Sequence, residues 1–174
     1  MNEALLVLHV FVGLLFAAHG AQKLFGAFGG PGIEGATGFM GSLGLQPAKL
    51  NALASGGIEL GGGVLLALGL LTPVAAAGLI AVMVTAIVTV HLANGFFNQD
   101  GGVEFNLSLI AVLFALAAAG PGEISLDSAI GLDLAGLGWG LGALAVGVAG
   151  GTGVVAAGRA AGRRNHGGEP QPAA

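Results

Sequence analysis

The chain has 174 residues, 55% of them hydrophobic and 8% charged, with 35 glycines, no cysteine and no tyrosine; soluble domains carry about 25% charged residues, so a soluble globular surface is excluded and the chain reads as a membrane protein. Five Lys and Arg against nine Asp and Glu leave a net charge of -4 and no basic face for nucleic acid. The lack of cysteine excludes disulfides, thiol redox centres, iron-sulfur ligation and covalently attached c-type haem, so a redox role has to use a bound cofactor or a partner.

A spanning helix needs about 20 apolar residues. Apolar stretches of near that length lie at 4–25, 51–71, 74–90, 105–119 and 134–157, the fourth being short and the fifth loosened by glycine. The start, Met1-Asn2-Glu3, lacks the positive region of a secretory signal, so the first stretch reads as a span. Between it and the second, Ala36, Phe39, Met40 and Leu43 repeat at helical spacing and stop at Gly44, which predicts a short interfacial helix over the bundle mouth. Thr72-Pro73 makes the turn of a hairpin between the second and third spans, since proline is tolerated at a helix start. In the last span Gly136/Gly140, Gly138/Gly142 and Gly147/Gly151 have the spacing of tight helix packing, against another helix, a protein partner or a second copy. Residues 158–174 have the composition of a disordered, basic tail.

With five alternating spans, Lys23, Lys49, Arg159, Arg163 and Arg164 all fall on one side of the bilayer. The positive-inside rule then predicts the N-terminus outside and the tail in the cytoplasm.

An ionisable side chain within a span is expensive and functional by default. Those here are His9, His19, Lys23, Glu59, His91 and Glu104. At 1.5 Å per residue Glu59 lies about 12 Å from the 51 end of its span and His19 about 9 Å from the 25 end of its own, which predicts one shared polar layer. His19 and Lys23, four apart, share a face and aim at Glu59 as partner; Gly57 and Gly61 are the spacing expected to bring the helices together there. This cluster is either a structural buried pair or a proton and ligand site, with Glu59, His19 and Lys23 as its catalytic candidates. A ligand-binding set follows from His91, Asn94, Phe96, Phe97 and Glu104, together with His9: the loop offers donors, acceptors and two aromatics that suit a quinone head or serve as interfacial anchors. No metal site is expected. The run Gly30-Pro31-Gly32-Ile33-Glu34-Gly35 spells a dinucleotide fingerprint, but no strand precedes it and the match is set aside.

In order along the chain, residues 18–26 (Ala18-His19-Gly20 to Gly26), 39–47, Glu59-Leu60-Gly61-Gly62-Gly63, 69–72, His91, 94–97, Glu104, Gly120-Pro121-Gly122 and Ser125-Leu126-Asp127 resemble the DoxX family of small bacterial membrane proteins, over about residues 4–130. The resemblance implies an all-α, polytopic membrane bundle with a four-helix core at 1–133; the glycine-rich stretch at 134–157, read from its own composition as a further transmembrane helix, extends past that family core, and the tail follows at 158–174. It implies a multi-pass protein of the bacterial plasma membrane, related to a membrane subunit of thiosulfate:quinone oxidoreductase and to parts of redox-protective assemblies. Where the family pattern carries an arginine ten residues before the histidine, this chain has His9.

Two functions are therefore expected. One is a membrane subunit of a redox or oxidative-stress assembly, quinone-linked, with no covalent cofactor and at most part of an oxidoreductase. The other is a non-enzymatic scaffold or small-solute carrier whose polar cluster is structural.

Overall fold

In hydrocarbon a backbone N–H or C=O has no partner but another backbone group, so even a chain this rich in glycine is driven into helix. The computed structural model describes residues 2–166, with side chains to Arg164, as seven α-helices: α1 (Asn2–Phe25), α2 (Gly32–Ser42), α3 (Ala48–Ala67), α4 (Thr72–Ala86), α5 (Glu104–Ala119), α6 (Leu126–Ala129) and α7 (Leu137–His166). After α4 the helix continues as a π-turn, Ile87–His91, and a 3-10 turn, Leu92–Asn94. Among the described residues four helices are long and apolar enough to cross a membrane, Asn2–Phe25, Ala48–Ala67, Thr72–Asn94 and Leu137–Arg164, while Glu104–Ala119 is shorter. The result is an all-α membrane bundle. Helix α4 is central, packed on α3, α5 and α7, with α1 laid along the outer side of α3. The core joins Val12, Phe16, Leu66, Leu79, Ile80, Leu113 and Leu116.

Glycines set the closest approach. A Cβ on Gly13 would lie 2.5 Å from Gly63 O, one on Gly63 2.6 Å from Gly13 O, and one on Gly20 2.7 Å from Gly56 O. Seven residues separate the two glycines on each helix, so α1 and α3 meet backbone to backbone over two turns. The expected pair Gly57 and Gly61 faces open space instead. The face turned to α1 carries Gly56, Glu59 and Gly63, at steps of three and four, and the neighbouring positions necessarily turn away. In α7 only Gly147/Gly151 of the three anticipated pairs packs as a pair, against Ile80, Ala81 and Val84 of α4. Gly140 meets Ala118, while Gly136, Gly138 and Gly142 are open.

His9 fixes the depth of three helices. Buried in α1, its Nδ1 is 2.9 Å from Leu66 O in the last turn of α3 and its Nε2 3.3 Å from Gly120 O, just past the end of α5. From that level sixteen residues run to Phe25 in α1, back to Leu50 in α3 and back to Glu104 in α5, about 24 Å in each case. The shortness of α5 is thus made up beyond Gly120. There residues 120–136 turn back over the α3–α4 connection through Leu126 N to Leu68 O and Asp127 N to Gly69 O, both 3.0 Å. Asp127, fully buried, accepts from Leu71 N at 2.9 Å and Thr72 N at 3.4 Å and so supplies the cap of α4. Leu71, with φ of 49°, is held in the left-handed region by that contact.

The expected interfacial helix is α2, which buries Ala36 and Met40. The expected disordered tail is corrected in part: α7 continues to His166 rather than ending near 157. Its alanines and arginines favour helix, and Gly158 and Gly162 pack on Leu45 and Gly44, with Gln46 N donating to Gly158 O at 3.1 Å. Residues 167–174 lie outside the described residues. That packing places the arginine-bearing end of α7 beside the α2–α3 connection, the end of the bundle that also carries Lys23 and Lys49.

Candidate functional site

Lys23 stands one turn from the end of α1, where a lysine ordinarily snorkels outward to the headgroups. Here it turns inward. Gly56 faces Lys23 and Leu24, so Glu59, three residues deeper on α3, is about 5 Å of helix axis from Lys23, a gap the two side chains close between them. Side chains on a helix lean toward its N-terminus, which for Lys23 is the direction of the membrane interior. Lys23 Nζ lies 2.6 Å from Glu59 Oε2 and donates to Ser55 Oγ at 3.1 Å. The contact with Oε2 is an ion pair rather than an aligned hydrogen bond. Glu59 is 3% exposed, so its charge is tolerable only beside the ammonium. Glu59 thus meets Lys23 and not His9, as the helix depths predict.

Lys23 and Ser55 look into a cavity of about 130 Å³ between α1, α2, α3, α4 and α7. Its walls are mostly apolar, from Phe39, Met40, Leu43, Ile58, Val82 and Val90, with Asn51, Thr85 and Thr89 adding polar groups. The π-turn that carries Thr89 and Val90 widens α4 along this wall, a distortion concentrated at functional sites. A cavity of about 150 Å³ holds a benzene ring, so this one is of single-ring size. His19, exposed on α1, lines a second cavity with Gln22, Pro31, Ala36 and Phe39, and Lys23 lies on the boundary of both.

The other anticipated residues are elsewhere. His91 Nδ1 is 2.7 Å from Gly101 O, and Asn94 Nδ2 donates to the same carbonyl at 3.3 Å. Glu104 Oε2 accepts from Asn98 N at 2.9 Å. These three side chains hold the 95–103 loop in shape, and Phe96 and Phe97 stand exposed on it as an edge-to-face pair with ring centres 5.4 Å apart. None of the five lines the cavity beside Lys23. His9 is at the other end of the bundle. The expected set therefore divides into the Lys23–Glu59 pair with His19 on the adjoining cavity, a stapled loop, and a depth-fixing histidine.

Sequence reasoning missed Ser55, Thr85, Thr89 and the capping role of Asp127. Ser55 is four residues before Glu59, and Thr85 and Thr89 are four apart in an otherwise apolar stretch; polar spacing on one helical face was the available signal. Among the described residues no group of three His, Asp or Glu is placed to hold a metal ion.

Comparison with known proteins agrees with this architecture. The DoxX family model matches residues 4–92. The chain is 34% identical over 122 residues to "Putative oxidoreductase CatD" of Bacillus subtilis (strain 168), covering 70% of this chain and 83% of that protein. It is 33% identical over 135 residues to "Uncharacterized membrane protein Rv3486" of Mycobacterium tuberculosis (strain ATCC 25618 / H37Rv), covering 71% of this chain and 79% of the relative. No solved structure matches the chain. A multi-pass helical bundle, the ordered motifs along it and a family match over half its length together make this chain a member of the DoxX family.

Proposed function

We propose that the chain is the membrane-embedded, quinone-binding subunit of a redox assembly in the bacterial plasma membrane. The observation that carries this reading is Lys23: its ammonium is fixed by Glu59 and Ser55 at the wall of an apolar cavity of single-ring size. An ammonium has three N–H groups; Ser55 takes one and Glu59 stands beside the charge, which leaves Lys23 able to donate into the cavity. A flat ring with a carbonyl on its edge fits such a donor set, the ring taking the apolar walls and the carbonyl taking the spare N–H. A relative named as an oxidoreductase points the same way.

A quinone supplies two-electron, two-proton chemistry, and the electrons would arrive from a redox partner protein. The chain's own residues bind and orient. Lys23 donates to the ring carbonyl and stabilises negative charge gathering there; Glu59 keeps the ammonium at depth instead of letting it turn to the headgroups. His19, on the cavity that adjoins Lys23, gives protons an exposed point of entry. The open glycines of α7 offer a place for the protein partner or a second copy to dock.

The second reading, a scaffold or small-solute carrier, is favoured by the position of the ion pair beside the tightest α1–α3 contact, where it would serve packing alone. Protein purified in mild detergent separates the two. The proposal expects co-purifying quinone by mass spectrometry and saturable binding of a short-chain ubiquinone or menaquinone analogue, lost in Lys23→Met at normal abundance. Purified protein that carries no quinone and binds none on titration sinks the proposal in favour of the scaffold.

A further inference from the structure

The cavity beside Lys23 is polarised. On the α1 and α3 side it presents donors: the spare Lys23 N–H, and the Ser55 hydroxyl, whose oxygen is occupied by Lys23 while its own proton is free to turn. On the α4 side stand the hydroxyls of Thr85 and Thr89, and both have committed their protons. Thr85 Oγ1 donates to Ala81 O at 2.8 Å, with Gly151 O at 3.4 Å behind it, and Thr89 Oγ1 donates to Thr85 O at 2.7 Å. A threonine hydroxyl bonded back to its own helix in this way keeps oxygen lone pairs but has no proton to give. That wall therefore accepts and does not donate. A ligand with acceptors at both edges leaves the threonine oxygens facing a like partner, whereas one with an acceptor at one edge and a donor at the other satisfies both walls.

We infer that Thr85 and Thr89 are specificity-determining residues that select a ring bearing a hydroxyl opposite its carbonyl or other acceptor edge. The substrate class is a phenolic, hydroxyl-bearing ring, with the fully oxidised dione bound less well. This inference rests on the proposed ring-binding role of the cavity and adds a preference to it. The near-isosteric change of threonine to valine removes the acceptor while keeping the volume, so its effect is read in the ligand's donor and not in the space available.

The test pairs two probes of similar size that share a ketone and differ in one donor, para-hydroxyacetophenone and para-fluoroacetophenone. Both are titrated against detergent-solubilised full-length protein by calorimetry or ligand-observed NMR. In the wild type the hydroxyl probe is expected to bind about tenfold more tightly, the worth of one buried hydrogen bond. In Thr85→Val/Thr89→Val the two probes should agree within about twofold, and Thr85→Ser/Thr89→Ser, which restores both oxygens, should recover the preference. The serine variant also serves where the valine variant does not fold: its failure to prefer the hydroxyl probe overturns the inference. Equal binding of the probes by the wild type overturns it while leaving the ring-binding cavity intact. A preference that survives the valine changes also overturns it, since the acceptor would then be another group on the wall, such as Asn51. Absence of binding by either probe overturns both the inference and the cavity's proposed role.

Discussion

Glu59 and Lys23 show how one side chain can set the depth of another. Without Glu59 the lysine stem is long enough to carry its ammonium out to the interface, and the cavity would lose its cationic wall. Two substitutions separate packing from chemistry. Glu59→Gln keeps shape and hydrogen-bonding reach but removes the charge and the exchangeable proton, whereas Glu59→Leu removes both partner atoms. We expect Leu to destabilise by about 1–3 kcal/mol, less than the full cost of a stranded buried charge because Lys23 can swing outward. Gln should be milder in thermal unfolding yet lower partner-dependent quinone reduction, because an uncharged amide no longer holds the ammonium at the cavity wall. Full activity of the Gln variant at normal abundance would show that reduction does not depend on the charge at this position. Outward movement has its own readout: Lys49 is exposed and serves as internal control, so amine-reactive labelling of Lys23 relative to Lys49 should rise in Glu59→Gln. Unchanged labelling would mean that Ser55 alone holds the ammonium.

At the scale of the helices, small residues act only where they face a neighbour. Gly63 lies against the α1 backbone, with a hypothetical Cβ 2.5 Å from Ala17 N, while Gly61, two residues earlier, has nothing within 4 Å. Backbone cannot yield as a flexible side chain can, so Gly63→Ala should force α1 and α3 apart and cost about 1–3 kcal/mol. Gly61→Ala should be neutral or stabilise by up to about 1 kcal/mol through helix propensity. Thermal melting in one detergent compares them, and equal melting temperatures would contradict the packing described. The same interface carries Glu59, so Gly63→Ala should also loosen the hold on Lys23. Helix α5 makes a different point: being short, it leaves the carbonyl of its capping Gly120 to His9 and the remaining depth to an irregular segment. That segment is held by its own backbone bonds and by Asp127. Irregular backbone at such a level is tolerated when its polar groups are satisfied within the protein.

For the whole molecule the decisive asymmetry is charge. Lys23, Lys49 and the arginines of α7 gather at one end, while the end holding Asn2, Glu123 and Asp127 carries no Lys or Arg. We expect the cation-rich end to be cytoplasmic, with five passages of the bilayer and the N-terminus outside. Reporter fusions at Asn2 and after Arg164 check this. A fusion after Arg164 active only in the periplasm would invert the arrangement, and a cytoplasmic report from Asn2 would remove one crossing.

Composition alone required a membrane bundle, because a chain with so little charge cannot be wetted. Apolar run lengths placed its helix ends to within a few residues, the end of α7 excepted, because hydrocarbon thickness fixes how long a span must be. The ion pair was legible in part: helix rise puts Glu59 near the depth of His19, and Lys23, four residues along the same face, is within side-chain reach of it. What the sequence left undecided is which way each face turns and what meets it. Gly57 and Gly61 have the same spacing as a packing motif, yet Gly56 and Gly63 make the contact, since rotation of α3 is set by all of its neighbours at once. Helix α7 outran its apolar stretch because Gly158 and Gly162 found a surface on the α2–α3 connection, a contact between residues more than a hundred positions apart. The Ser55 and threonine walls of the cavity likewise come from separate helices. Their opposition exists only when α1, α3, α4 and α7 are assembled, because periodicity within one helix carries no information about the distance to the next.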